Sequence, residues 1–84
     1  MSMIEAAKTT QNGVTFVTVS VQDSVLGEPN EADRVIGAMS KHFQCPAVLM
    51  GANSHGLWGP PELMEFLARM DPDRLPWQQW DVAA

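Results

Sequence analysis

Ser54-His55 sets a hydroxyl beside the side chain type that titrates near neutrality, which raises a nucleophile and its base as a first reading. That chemistry needs the base to reach the hydroxyl, and a carboxylate to orient the base. Neighbouring residues on an extended chain point to opposite faces, and no acidic residue stands beside His55 in the sequence. His42, the other histidine, falls late in an expected helix. His55 is thus a reactive candidate without a mechanism, and no catalytic residue is expected.

His42-x-x-Cys45 offers one close pair of metal ligands, with His55 as a third group. A structural zinc takes four nitrogen or sulfur ligands, usually as two close pairs, and the second pair is missing. Cys45 reads instead as a small residue at a helix–strand junction, reactive only if its thiolate were favoured. Asp71-Pro72-Asp73 resembles the start of a calcium loop, but loop position six, which needs glycine, is Pro76. No metal and no cofactor is expected.

The stretch Asn-Ser-His-Gly-Leu-Trp-Gly-Pro-Pro, residues 53–61, leads straight into an apolar run and so invites comparison with a phosphate loop. Such loops work because backbone N–H groups at a helix N-terminus converge on the anion. Pro60 and Pro61 remove two of those donors, and no lysine stands nearby. The glycines turn the chain and the prolines open a helix. Glu62 and Glu65 then suit the positive end of that helix.

The elements that must position these groups follow from the hydrophobic pattern. Val14–Val21 alternates, with Val17, Val19 and Val21 on one side and Phe16, Thr18 and Ser20 on the other, as a strand does. Asn12-Gly13 before it favours a hairpin turn, so Ile4–Thr10 is expected as an antiparallel partner, or else as a frayed tail. After a loop, Pro29 opens a helix to about Phe43, with Ala32, Val35, Ile36, Met39 and Phe43 in one stripe. Gly37 costs that helix about 1 kcal/mol relative to alanine, for which close packing against a strand would be the reason. Ala47–Met50 is apolar on both faces, as a central strand reads. His55–Trp58 returns antiparallel, Leu63, Phe66, Leu67 and Met70 mark a second helix, and Pro76–Val82 is a terminal strand or arm. The expected fold is a two-layer α+β domain with a small mixed sheet and two helices, in the order (β)βαββα(β). It spans residues 1–84 as a single domain, with 1–11 a tail or edge strand and 76–84 the terminal strand or arm. The strands flanking the first helix should run parallel.

From Pro46 to Met70, the order proline, apolar strand, turn, short return strand, glycine and amphipathic helix resembles the C-terminal half of a thioredoxin-like domain. The resemblance implies a reduced redox or thiol-binding protein with Cys45 as its reactive group. No Cys-x-x-Cys accompanies it.

Composition narrows the partners. The net charge is −5 and the five basic residues are scattered singly, which argues against phosphate backbones and anionic membranes. No secretory signal or membrane-spanning run is visible, and a lone cysteine builds no internal disulfide, so a reducing, cytoplasmic setting is expected.

The tryptophans carry the functional expectation. Trp77 and Trp80 lie an odd number of residues apart, so on a strand they face opposite sides of the sheet. Two helices cover one sheet face well and a second only in part. That second face, displaying Phe16 and rimmed by a tryptophan, is expected to meet a second copy or a partner protein. Phe16, Trp58, Met64, Trp77 and Trp80 are the expected contact residues, since aromatic side chains commonly anchor such contacts. The chain reads as a small, acidic, non-enzymatic protein-interaction module, a homodimer or accessory subunit, using an aromatic surface near its C-terminus.

Overall fold

The computed structural model describes residues 2–82. Strand β1 (Ser2–Gln11) and strand β2 (Val14–Val21) form a hairpin, followed by the helical turn α1 (Asp23–Leu26) and helix α2 (Pro29–Phe43). Strand β3 (Ala47–Gly51), the two-residue β4 (Leu57–Trp58), helix α3 (Pro61–Ala68), a 3₁₀ turn (Pro72–Arg74) and strand β5 (Gln78–Val82) complete the order. This is the α+β class expected, built on one five-stranded mixed sheet.

Local chemistry explains the boundaries. Asn12 and Gly13 take φ of 53° and 80°, the two positive values a type I′ turn requires. That turn sets β1 antiparallel to β2, and β5 pairs on its other side, so residues 2–11 are an inner strand, neither the tail nor the edge strand expected. Pro29 opens α2, Glu31 sits in its first turn and Lys41 and His42 in its last, all in keeping with the helix dipole. Gln44 closes it in the left-handed conformation, at φ 56°. The turn α1 replaces an expected loop.

The sheet order is β4-β3-β2-β1-β5. The β2 and β3 strands are parallel neighbours from Val17↔Ala47 to Val21↔Gly51, as the crossover through α2 predicts. β1 pairs β5 antiparallel, from Ser2↔Val82 to Ala6↔Gln78, without a break in register.

Each face of the sheet has its own core. On the first, Ala6, Val17, Val19, Ala47 and Leu49 pack with Ala32 and Phe43 of α2. On the second, Ala7, Phe16, Val48 and Met50 pack with Leu67 of α3 and with Leu75. β3 is apolar on both sides because both sides are covered. Gly37 departs from expectation: it is exposed, and a Cβ built there meets nothing within 4 Å, so close packing is not its reason. Gly59 is the glycine pressed against a strand, since its Cβ would lie 3.1 Å from the Ala47 carbonyl oxygen.

Candidate functional site

The second face is covered unevenly. An eight-residue helix runs about 12 Å, whereas the eight residues of β2 run about 26 Å. At the end where β2 finishes, Leu75, just after the 3₁₀ turn, and Trp77 extend the cover. At the end where β2 begins, a groove of about 490 Å³ remains between the β1–β2 turn and the start of α3. Its apolar lining is Val14, Phe16, Pro46, Pro60, Leu63 and Phe66, and its polar members are Gln11, Asn12 and Glu62. Pockets of this size and lining take small apolar molecules or the side chains of a partner.

The groove holds its shape because its walls are tied into the core. Phe66 meets Phe16 edge to face, with ring centroids 5.8 Å apart. Phe16 is 1% exposed and so forms a floor, not a projecting contact. Val14 is 49% exposed, an open apolar side chain at the groove.

Of the residues expected at an interface, the structure brings Phe16 to this groove and sends the others elsewhere. Trp77 and Trp80 do face opposite sides of the sheet, one in each core. The indole of Trp80 donates to the Ala6 carbonyl at 3.0 Å and meets Phe43 edge to face, and that of Trp77 donates to the Pro72 carbonyl at 2.7 Å. Trp58 donates to Asp33 Oδ1 at 3.1 Å. All three tryptophans are half-buried and fasten elements of the same chain to one another. Met64 packs against the second core. The open apolar groove therefore lies at the hairpin end of the second face. Val14, Leu63 and Phe66 line it; the apolar stripe of α3 signalled Leu63 and Phe66 beforehand, while Val14 read only as the start of a strand.

His55 lies at the other end of the second face, with φ 58°, exposed. A hollow of about 210 Å³ there is lined by Glu5, Ser20, His55, Asp73 and Trp77 among others, so carboxylates that are distant in sequence do share its surroundings. A catalytic relay is not assembled, however. The Ser54 hydroxyl is bound to Asp23 Oδ1 at 3.1 Å and accepts from the Gly56 N–H at 3.1 Å. The ion pairs among the described residues are Arg34–Glu31 and Arg69–Glu65, neither of which involves His55. No group of three or more His, Cys, Asp or Glu among the described residues could hold a metal ion.

Cys45 is half-buried beside β3, and burial pushes its thiol above the ordinary value, opposed by the charge of Lys8. The helices among the described residues are not long and apolar enough to cross a membrane. Comparison of the chain with protein-family models, curated proteins and solved structures finds no match.

Proposed function

We propose that this chain is a small non-enzymatic interaction module, and that the groove between Val14 and α3 receives a short apolar segment of a partner protein. The observation that carries the reading is the groove itself, about 490 Å³ of almost wholly apolar lining left open beside an exposed valine. Charge suggests the character of the partner. Among the described residues, Glu62 is the one charged residue lining the groove, and the chain carries −5 overall, so an apolar segment flanked by lysine or arginine fits best. The redox reading through Cys45 loses support, because a thiol with a raised pKa is a poor thiolate.

The test is a titration of the ¹⁵N-labelled chain with two synthetic peptides, Lys-Leu-Phe-Leu-Lys and Glu-Leu-Phe-Leu-Glu, both with blocked ends. The basic peptide should shift the amides of Val14, Phe16, Leu63 and Phe66 and bind more tightly than the acidic one. Val14→Asp, on an exposed strand end, should abolish those shifts and leave the fold intact. Shifts confined to other residues, or none at about millimolar peptide, where a weak docking site is already half-filled, would discard the groove as a docking site.

A further inference from the structure

The sheet has two edges, and they are treated differently. The β4 edge is two residues long, which blunts it as a template for further pairing. The β5 edge is five residues long, contains no proline or lysine, and runs in unbroken register against β1. Among the described residues, no backbone hydrogen bond outside the ladders reaches residues 78–82, so the outward N–H and C=O groups of this strand have no chain partner. The exposed large hydrophobic residues are Val14, at the groove, and Met3, which pairs with Asp81 of β5. One exposed apolar side chain, Met3, thus borders the open edge, at the opposite end of the strands from the groove.

We infer that β5 pairs antiparallel with β5 of a second copy, joining two sheets into one of ten strands. A two-fold axis perpendicular to the sheet keeps each face continuous, and self-pairing then sets one residue opposite itself. Two criteria select Trp80 as that residue. It is the midpoint of Gln78–Val82, so all five residues pair. It also separates the charges: Asp81 falls opposite Gln79 of the other copy, whereas a centre at Asp81 would oppose two carboxylates. Gln79 and Asp81 share a face, so the glutamine amide can donate to the carboxylate across the pair, twice per dimer. The grooves lie at the hairpin end, away from this seam, and the dimer therefore offers two of them to a divalent partner.

Sedimentation equilibrium in reducing buffer tests the register through charge. The native chain should dimerise. Glu5 lies opposite Gln79 within each chain, so the variants are made in a Glu5→Gln background. There Gln79→Glu sets like charges opposite each other only across the seam, twice, and should weaken the dimer about fivefold or more, while Gln79→Lys should tighten it by a similar factor. Ala68→Glu and Ala68→Lys, which make the same changes in net charge on exposed α3, should move it much less. Exchange of the outer β5 amides should slow as concentration rises. A monomer at every concentration overturns the inference. So does a dimer whose Gln79 variants behave like the Ala68 variants, which would place the contact elsewhere. Neither result bears on the peptide titration of the groove, which is read at other residues.

Discussion

Phe16 of β2 and Phe66 of α3 meet edge to face at 5.8 Å and 84°, and this contact fixes where the cover of the second sheet face ends. Such a pair prefers this perpendicular geometry because the positive ring edge of one faces the negative π-cloud of the other. Phe66 is thus both part of the core and one wall of the groove.

Removing that wall should cost stability and binding together. Phe66→Ala is expected to lower stability by about 2–3 kcal/mol, less than for a fully buried ring because Phe66 is half-buried. Phe66→Leu keeps most of the volume and should cost about 1 kcal/mol. Urea unfolding at constant m-value gives both numbers. A loss below about 0.5 kcal/mol for the alanine variant would mean that α3 is not held by this contact.

Gly37 offers the opposite sign. It lies in the interior of α2, it is exposed, and an added methyl group meets no neighbour. Gly37→Ala should therefore raise stability by about 0.5–1 kcal/mol, chiefly by restricting the unfolded chain. The thermal midpoint should rise by a few degrees. A fall would point to a contact that the free surface of α2 does not show.

The tryptophans should act as fasteners. Trp80 bridges β5 to β1 through the Ala6 carbonyl and to α2 through Phe43, with ring centroids 5.1 Å apart. Trp80→Ala is expected to cost about 3 kcal/mol and Trp77→Ala about 2, measured by denaturant midpoints. Peptide binding at the groove should persist in the Trp77 variant. Loss of binding without loss of fold would return the contact surface to the C-terminal aromatics.

Much of this fold was legible because its signals are local. The valine alternation of β2, the Asn12-Gly13 turn and the stripe of α2 depend on neighbours a few residues away. β1 was harder to read because Ala6 and Ala7 are both fully buried, one on each face, so its small residues show no alternation. The turn α1 was invisible for a different reason: Asp23 is engaged by Ser54, 31 residues further on. The groove was hidden in the same way. Pro46 and Pro60 read as punctuation and Val14 as a strand start, and only the short reach of α3 across the sheet brings them together.

The thiol makes a sharp kinetic prediction. Burial holds Cys45 in its neutral form above the pH at which a free thiol ionises, so a disulfide reagent at pH 8 should modify it more slowly than it modifies glutathione. Unfolding in urea should restore the faster rate. Lys8 opposes the burial effect by charge, so Lys8→Met should slow modification further. A native rate above that of glutathione would revive the redox reading.

Acid should expose the role of Asp23. The Ser54 N–H is the largest influence on its carboxyl and lowers the pKa below the ordinary 3.8; desolvation opposes this, and the Ser54 hydroxyl and Asn53 N–H reinforce it. The geometry agrees, since Asp23 Oδ1 accepts from Ser54 N at 3.2 Å, Ser54 Oγ at 3.1 Å and Asn53 N at 3.4 Å. A folded pKa below the unfolded one means that the unfolded chain binds the proton more readily. The contribution is therefore present above the ordinary carboxylate value and lost as pH falls through the folded one. Asp23→Asn keeps an acceptor oxygen but cannot titrate. Native and variant chains should differ most near neutrality and converge below the folded pKa, as read from urea midpoints between about pH 7 and pH 2. Gly51→Ala should mimic the acid effect at neutral pH, because its Cβ would strike the same Asp23 carboxylate and come within 2.6 Å of the Ser54 hydroxyl. Parallel curves for the native chain and Asp23→Asn would show that the turn at residues 52–56 does not depend on this charge.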